Sequence, residues 1–394
     1  MTAASVAYQR PRVSFWNDPK IRSIAVQLVM VLVIGFFAYE IVNNTIINLN
    51  KRNIATGFEF LNKTAGFDLI QSLVAFSSES SYGQALIAGF LNTLLVAGIG
   101  IVLATMLGFL VGIMRLSKNW IVAKIATFYI ETVRNVPLLL QMFVWYGVVL
   151  KSLPGPREAI NIGDAVFVSN RGLNMPDTVY GDGAWAALAG LAVAIAGAMA
   201  LRSWARQRQV ATGQPFPYIL AGIGMVLALP VAGLLLAGWP VSFDYPVLGG
   251  FNFTGGSVII PEFMALLVAL TVYTGSFIAE IVRAGIQAVS HGQTEAARAL
   301  GLRNAATTRL VVIPQALRVI IPPLASQYLN LTKNSSLAVA IGYPDLVATG
   351  GTVLNQTGQA VEIVMIWMIV YLTLSLTTSG FMNWFNARMR LVER

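Results

Sequence analysis

The sequence predicts an all-α membrane protein with about eight transmembrane helices. Of the 394 residues, 56% are hydrophobic and only 11% are charged, whereas soluble chains carry about 25% charged residues. The mean hydropathy of the chain is +0.69. A hydrocarbon layer about 30 Å thick requires roughly 20 mostly apolar residues per helix, and uncharged stretches of that length recur along the chain. They lack the polar and apolar alternation of β-barrel strands, so each stretch is predicted to be a helix.

Eight stretches of the chain have the length and character of membrane spans. Six contain no Asp, Glu, Lys or Arg, and their charged boundaries are Arg22 and Glu40, Glu79 and Arg115, Asp182 and Arg202, Arg208 and Asp244, Glu262 and Glu280, and Glu362 and Arg388. Two more cross isolated charges: one covers about 125–150 with Glu131 and Arg134, and the other about 310–331 with Arg318. The first apolar run begins near Ile24 without a small-residue cleavage site after it, so we expect it to be retained as a helix.

The positively charged residues indicate how the chain is oriented. With the N-terminus in the cytoplasm, the cytoplasmic segments hold 17 Lys and Arg residues and the opposite side holds 7. Because Lys and Arg concentrate in cytoplasmic loops, both termini are predicted to be cytoplasmic. The net charge of +9 therefore indicates orientation more than a nucleic-acid partner. The chain has no cysteine and one histidine, His291, which excludes disulfides, thiolate chemistry and a histidine-cluster metal site.

Loops divide the chain into four predicted parts. These are an N-terminal tail with the first span and a polar segment (1–84), the first part of the helical core (85–150), an external loop with the fourth and fifth spans (151–259), and the second part of the core (260–394). We expect 43–84 to form a lid or hairpin, and 151–182, rich in Pro and Gly, to form an external loop. Gly108 and Gly112 stand at GxxxG spacing, which is typical of close helix packing, although glycines facing lipid by chance are an equal alternative.

A short cytoplasmic helix is predicted after the sixth span. Ser290 and Gln293 stand at the spacing of a capping box, Glu295 complements the positive end of the helix dipole, and Gly301 is the expected C-terminal stop. These signals predict a helix from about His291 to Leu300 that lies within a loop.

Small side chains give this predicted helix the character of a docking element. Ala296 and Ala297 would let it seat deeply in a groove of a partner, while Arg298 and Arg303 would supply charge contacts. The alternative is a helix that lies on the membrane surface. Such a helix requires Leu, Phe or Trp on its apolar face, so the alanines favour docking to a protein.

The same segment resembles the signature of ABC-importer permeases. It reads Glu295-Ala296-Ala297, three residues, Gly301, nine residues, and Val311-Val-Ile-Pro314. The family pattern is Glu-Ala-Ala, three residues, Gly, nine residues, and Ile-x-Leu-Pro, so Val311 and Ile313 are conservative departures and the spacing is unbroken. By this resemblance, 290–303 is a coupling helix that inserts into an ATPase subunit and transmits its closure to the membrane.

Further short motifs resemble the polar amino-acid branch of this family. They lie at Asn92–Leu94, Glu131–Leu138, Tyr273–Arg283, Gly292–Gly301 and Lys333–Leu337. The first span and the two-span insertion resemble the enlarged Q-type permeases of general L-amino-acid transporters and the similar glutamate/glutamine/aspartate/asparagine permeases. The resemblance implies a type I ABC-importer permease core with an extra N-terminal helix and a two-helix insertion, in a bacterial inner membrane.

The resemblance also implies the partners of the chain. No G-x-x-x-x-G-K-[ST] motif occurs in the sequence, so the chain lacks that phosphate-binding loop and is not expected to be an enzyme. The family supplies a cytoplasmic ATPase dimer that carries the ATP and Mg, a homologous second permease and a periplasmic amino-acid-binding protein. We therefore expect L-amino acids to cross by alternating access, with no cofactor in this chain.

Ionisable and polar residues within the spans are candidates for the substrate pathway. Arg134, followed by Asn135, could bind a substrate carboxylate, and Glu280 could bind the ammonium group. Glu131 with Arg134, and Glu280 with Arg283, stand three residues apart, so structural pairing is an equal alternative. The remaining candidates form a polar run at the end of the seventh span, which comprises Asn334, Ser335 and Ser336.

Two other functions are alternatives to an importer permease. An ion-coupled secondary transporter would use a buried carboxylate such as Glu131 or Glu280 as a proton relay. A channel or purely structural membrane subunit would carry the 290–303 loop without binding an ATPase.

Overall fold

The computed structural model describes residues 19–51 and 56–389. Five basic residues that contribute to the predicted orientation lie outside the described residues, namely Arg10, Arg12, Arg52, Arg390 and Arg394. The α-helices of the described chain are α1 (Pro19–Lys51), α2 (Tyr82–Arg115), α3 (Trp120–Asn135), α4 (Leu138–Ser152), α5 (Trp185–Thr212), α6 (Tyr218–Leu236), α7 (Pro261–Gln287), α8 (His291–Ala299), α9 (Asn304–Thr307), α10 (Ile313–Asn334), α11 (Leu346–Thr357) and α12 (Ala360–Met389).

The prediction of about eight transmembrane helices is confirmed. Among the described residues, seven helices are long and apolar enough to cross a membrane, or eight spans if one bent pair of helices counts as a span. That pair, α3 and α4, corrects the single span predicted at about 125–150, because the two helices meet at a bend of 108°.

Pro137 accounts for the break between α3 and α4. The residue before a proline is driven out of the helical conformation, and Val136 accordingly adopts φ −103° and ψ 127°. The carbonyls freed by the break are not left bare, since Nε2 of Gln141 donates to the carbonyls of Val133 and Val136, each at 2.9 Å. The buried Gln141 side chain thus satisfies the carbonyls that the break exposes, which lets a helix be interrupted inside the membrane.

Close packing of α2 against α7 forms the centre of the bundle. A Cβ atom at Gly108 would lie 2.5 Å from Cβ of Ile278 and 3.0 Å from the carbonyl of Gly275, and one at Gly112 would lie 2.7 Å from the carbonyl of Ala279. The two glycines therefore face α7 and not lipid. This contact decides the open question about the GxxxG spacing in favour of helix packing.

Short strands form a β-cap at one end of the bundle, which we define as β1–β8 within 160–180 and 241–259. The strands are β1 (Ile160–Ile162), β2 (Val166–Ser169), β3 (Gly172–Met175), β4 (Asp177–Tyr180), β5 (Val241–Asp244), β6 (Val247–Gly249), β7 (Asn252–Thr254) and β8 (Ser257–Ile259). One antiparallel sheet has the order β1-β2-β3-β8, and β4-β5 and β6-β7 form two-stranded ribbons. The predicted loop at 151–182 thus contains strands β1–β4, of which β3 and β4 pair with strands that follow the α5–α6 hairpin.

The segment before α2 packs against the bundle. Phe60, in a short 3-10 helix at Glu59–Asn62, is only 1% exposed, and its ring lies 6.4 Å from that of Tyr82. Ser81 and Gln84 form a capping box at the start of α2, with hydrogen bonds of 2.9 and 3.3 Å. The part of the predicted lid that the structure describes is thus a packed connection to α2, while α1 reaches further than expected, to Lys51.

The α2–α7 contact can be tested by adding a single methyl group. Gly108→Ala should destabilise the protein by about 1–3 kcal/mol, because the new Cβ would lie 2.5 Å from Cβ of Ile278, which is fully buried. Gly98→Ala is the matched control on the same helix, since a Cβ there meets nothing within 4 Å. Thermal unfolding in detergent measures both variants, and equal midpoints would contradict the packing described.

Candidate coupling helix and ion-pair network

Helix α8 follows α7 after a short turn and ends at a glycine. Its bounds, His291–Ala299, confirm the predicted short helix. Gly301 has φ +79°, and the amide of Leu302 donates to the carbonyl of Ala297 at 3.1 Å, which satisfies an end carbonyl of the helix. The predicted glycine stop is therefore present in the structure.

The predicted capping box at the start of α8 is wrong. Ser290 is the N-cap residue, but within the described chain its hydroxyl makes no capping hydrogen bond. Gln293 instead accepts a hydrogen bond at its Oε1 from Nε2 of Gln315, at 3.2 Å. The side chain that spacing assigned to a local cap thus joins α8 to α10, a tertiary contact that local spacing cannot show. Glu295 lies 3.0 Å from Nδ1 of His291.

One face of α8 packs against the protein and the other is open. Ala297 is 4% exposed, whereas Leu300 is 83% exposed, and Glu295, Ala296 and Arg298 are exposed as well. Arg303 is also exposed, just after the Gly301 turn. Leu300 was not among the residues predicted to contact a partner. Its signal was a large apolar side chain inside an otherwise small and charged segment.

The chain returns to the bundle from α8 through an irregular turn. Helix α9 is followed by a π-helical turn, Thr308–Val312, and Pro314 occupies the first turn of α10. Helix α9, this turn and α10 run as one continuous span, Asn304–Ile341, and the wider π-helical turn lies directly before the proline, which cannot donate to a carbonyl of the preceding turn. Pro314 thus lies at an irregular turn inside the span that follows α8.

Four charged side chains form a network where α2, α3 and α7 meet. Arg115, the last residue of α2, pairs with Glu280 of α7 and lies 3.3 Å from Glu131 of α3. Arg283 also pairs with Glu280, with its Nε 3.1 Å from both carboxylate oxygens. The predicted alternative of structural pairing is therefore observed for Glu280 and Arg283. Glu131 pairs with Arg115, a residue that the sequence analysis had placed only as a boundary charge.

Arg134 lies at the break between α3 and α4. Its guanidinium carbon is 4.9 Å from the centre of the Phe277 ring, a cation–π distance, and the side chain is exposed. Asn135 donates from Nδ2 to the carbonyl of Glu131 at 2.7 Å. Arg134 is thus held by an aromatic ring of α7 and not by Glu131.

The polar run at the end of α10 lies far from this network. Oη of Tyr328 is 2.9 Å from Oγ1 of Thr105, and Leu331 lies against Gly100, so α10 runs antiparallel to α2 and its end approaches the start of α2. From Gly100 to Arg115 a helix rises about 22 Å. Ser335 is buried and donates to the carbonyl of Thr332 at 2.7 Å, and Ser336 donates to that of Lys333 at 2.7 Å.

The candidate substrate residues therefore divide into two groups at different depths of the bundle. Those near the end of α2 are Glu131, Arg134, Asn135 and Glu280, and those toward its start are Asn334, Ser335 and Ser336. The structure does not bring all of them to one pocket. It does bring the network close to α8, since Arg283 lies within the last two turns of α7.

Comparison with known proteins decides the family. Residues 100–391 match the family described as "binding-protein-dependent transport system inner membrane component". The chain belongs to this permease family. The family relation supports the importer-permease interpretation over the ion-coupled alternative, and it makes the chain a multi-pass transport subunit.

Three curated relatives cover nearly the whole permease. The general L-amino acid transport system permease protein AapQ of Rhizobium johnstonii is 55% identical over 96% of this chain and 94% of its own. The putative amino-acid ABC transporter permease protein YhdX of Escherichia coli K12 is 50% identical over 97% of each chain. The glutamate/glutamine/aspartate/asparagine transport system permease protein BztB of Rhodobacter capsulatus is 44% identical over 96% of each.

The start of α2 in this permease is bound to the turn before α11. Nδ2 of Asn92 donates to the carbonyl of Pro344 at 2.9 Å, and Oγ1 of Thr93 accepts from the amide of Leu346 at 3.1 Å. Asp345 caps α11 by accepting from the amide of Ala348 at 2.8 Å. The Asn92–Leu94 motif thus has a structural task at the opposite end of α2 from Arg115.

Asp345 is fully buried beside this contact, outside the candidate spans. Within the described chain its Oδ2 has no hydrogen-bond partner. Burial raises the pKa of Asp345 to about 7, against the smaller opposing effects of the backbone amides at the start of α11 and of the nearby Tyr371 hydroxyl. Burial therefore favours the protonated form of this carboxyl group.

A double-mutant cycle tests the network. Arg115→Gln and Glu280→Gln should couple by about 1–3 kcal/mol, because both side chains are mostly buried and directly paired. The matched cycle of Arg115→Gln with Glu131→Gln should couple by less than about 1 kcal/mol, since the Glu131 side chain is 56% exposed. Unfolding in detergent measures both, and equal coupling in the two cycles would contradict the network.

The buried acid predicts how stability changes with pH. Because its pKa in the folded state, about 7, is above the unfolded value of about 3.9, the folded state binds more protons between these values. Stability should therefore fall as the pH rises from about 4 to 7, by up to about 1.4 kcal/mol per pH unit. Asp345→Asn retains an Oδ1 to cap α11 and should remove this slope.

An exposed carboxylate provides the control for that experiment. Asp68→Asn lies in the segment before α2 and is exposed, so it should leave the slope in place. Thermal midpoints across pH 4–8 measure all three proteins. A slope that persists in Asp345→Asn would assign the pH dependence to another group.

Proposed function

We propose that this permease carries L-amino acids into a bacterial cell across the inner membrane by alternating access, with both of its termini in the cytoplasm. Support comes from three relatives, each aligned over at least 96% of this chain and named as amino-acid permeases. A likeness over at least 96% of the chain extends to α1, the β-cap and the α5–α6 hairpin, so it covers the additions to the core as well. The first of these relatives favours a broad range of L-amino acids.

The energy comes from a separate cytoplasmic ATPase dimer, and a homologous second permease and a periplasmic amino-acid-binding protein complete the importer. The observation that carries this proposal is α8, a helix of nine residues whose exposed face offers Ala296 and two neighbouring charges, Glu295 and Arg298, and which is followed directly by the exposed Leu300. A small alanine beside an exposed leucine lets a groove close around the helix. Arg303 lies just beyond the helix and can pair with acidic groups of the motor.

The ion-pair network supplies a route from the ATPase to the bundle. A displacement of α8 is transmitted to α7 through the short turn between them. Glu280 of α7 is in turn bound by Arg115 of α2, which also pairs with Glu131 of α3. Gln293 and Pro314 connect α8 and its return segment to α10. Motion of α8 is therefore shared by four helices, which is what opening a path on the opposite face requires.

Arg134 and Asn135 are the proposed contacts for the substrate carboxylate near the cytoplasmic end of the path. Arg134 is exposed at a broken helix, where its guanidinium rests on the Phe277 ring and makes no salt bridge within the described residues, so its edge can receive a bidentate carboxylate. Glu131 and Glu280 act through the arginines they bind. Asn334, Ser335 and Ser336 belong to the opposite end of the same path.

A bulky residue on α8 tests the coupling to the motor. In proteoliposomes with the complete importer, Ala296→Trp should lower ATP-dependent amino-acid uptake by about tenfold or more and release the ATPase from the purified complex, because an indole cannot enter a groove fitted to a methyl group. Ala296→Ser is the small control at the same position. Ala297 is unsuited, since it is buried within this chain.

Two outcomes would oppose the proposal. Full uptake and ATPase retention in Ala296→Trp would show that α8 does not dock. Uptake by the native complex that survives removal of ATP and stops when an ionophore dissipates the ion gradients would favour an ion-coupled transporter.

A further inference from the structure

A cleft between the β-cap and the bundle lies at the end of α7 opposite the coupling helix. Its volume is about 720 Å³, within the range of roughly 300–1,000 Å³ that is usual for small-molecule sites. Its wall includes the start of α7 at Pro261 and Glu262 and parts of β3 and β7 at Asn174 and Phe253. The 27 residues of α7 span about 40 Å, so the cleft is far from α8.

The cleft has a fixed shape because glycines bring the cap against α7. Strand β3 pairs with β8 just before α7, with Leu173 opposite Ile259. Gly172 has φ +120°, and a side chain there would run into the carbonyl of Ile259. Gly256, with φ +65°, leaves only 2.6 Å between a would-be Cβ and the carbonyl of Met175. The cap is thus joined directly to the helix that leads to the coupling segment.

Two charged groups of opposite sign line the cleft. They are Arg171 and Glu262, and no other ionisable side chain contributes to its wall among the described residues. Continuing the β3–β8 register by two residues places Arg171 opposite Pro261, next to Glu262. Within the described chain the two do not pair with each other, and Glu262 uses one oxygen, Oε1, to accept from Tyr146 at 3.0 Å.

Two amide side chains of the cleft have unused hydrogen-bonding groups. Asn174 is only 5% exposed, and within the described chain its Nδ2 donor has no partner. The Oδ1 acceptor of the neighbouring Asn170 is also buried without a partner there. Leaving such groups unsatisfied costs about 1–3 kcal/mol each. One donor and one acceptor beside a cation and an anion form a wall prepared for a small dipolar ligand.

We propose that this cleft is a binding site for a free L-amino acid on the face of the permease opposite the ATPase. Arg171 and Asn174 receive the carboxylate, and Glu262 and Asn170 receive the ammonium group. The paired charges favour a zwitterion over a simple anion or cation, since each isolated ion would leave one charge of the cleft unmatched. The proposal rests on the proposed transport function and adds to it a second place where substrate pauses.

Equilibrium binding of radiolabelled L-glutamine to the intact importer complex in nanodiscs, without binding protein or nucleotide, tests this site. Relative to the native complex, Glu262→Gln and Asn174→Leu should each weaken binding by about tenfold or more, as expected for loss of a charge-assisted or buried hydrogen bond. Glu158→Gln removes an exposed carboxylate of the same external region that does not line the cleft, and its binding should equal that of the native complex.

A truncated ligand tests the roles of the two charges. 4-Carbamoylbutanoate lacks the ammonium group of glutamine, so its affinity for the native cleft should be about tenfold or more lower than that of glutamine. In Glu262→Gln the affinities of the two ligands should be closer to each other. Arg171→Gln changes an exposed side chain, so it keeps the test decisive if Asn174→Leu fails to fold. Two results would overturn the assignment: equal binding in all cleft variants and the native complex, or no binding to the native complex. Either result would mean that the cleft holds only water.

The two proposals can fail separately. ATP-driven uptake with the binding protein is measured on the same native preparation. Absence of uptake would reject the transport function, whereas normal uptake together with unchanged binding in the cleft variants would reject the cleft alone.

Discussion

The contact between α2 and α7 is the constraint on which the rest of the permease depends. Gly108 and Gly112 let the two backbones approach until a single methyl group would collide. In a bilayer, association of helices relies on such close packing because lipid tails are as apolar as the side chains. With α2 and α7 locked together, Arg115 meets Glu280 at one end of the pair, and the β-cap meets the start of α7 at the other.

Local patterns were enough to predict much of the fold. The spans follow from runs of apolar residues between charges, and α8 follows from a short segment ended by Gly301, whose left-handed backbone almost only glycine adopts readily. The glycine pair at 108 and 112 suggested packing, but spacing alone could not distinguish a partner helix from lipid. That distinction required the position of Ile278, more than 160 residues further along the chain.

Features that depend on distant residues were beyond the sequence. Strands β1–β8 have only three or four residues each, and β3 pairs with β8 across the whole α5–α6 hairpin, so period-two alternation had too little length to be seen. Gln293 fitted a capping box by spacing, yet Gln315 competes for it. Glu131 and Glu280 were recognised as unusual charges, while their common partner Arg115 stood at a helix end, where a basic residue is ordinary.

The position of α7 explains why one helix can serve both faces of the transporter. It begins beside the cleft under the β-cap and ends one turn before α8, so under the proposed coupling a shift of α8 also moves the wall that holds Glu262. Helices are stiff along their axis because each turn is held by internal hydrogen bonds, whereas loops would absorb the same displacement. The break at Pro137 lies beside this rigid element, with Arg134 resting on Phe277 of α7. A stiff helix beside an interrupted one is an arrangement in which movement of the first changes the opening at the second.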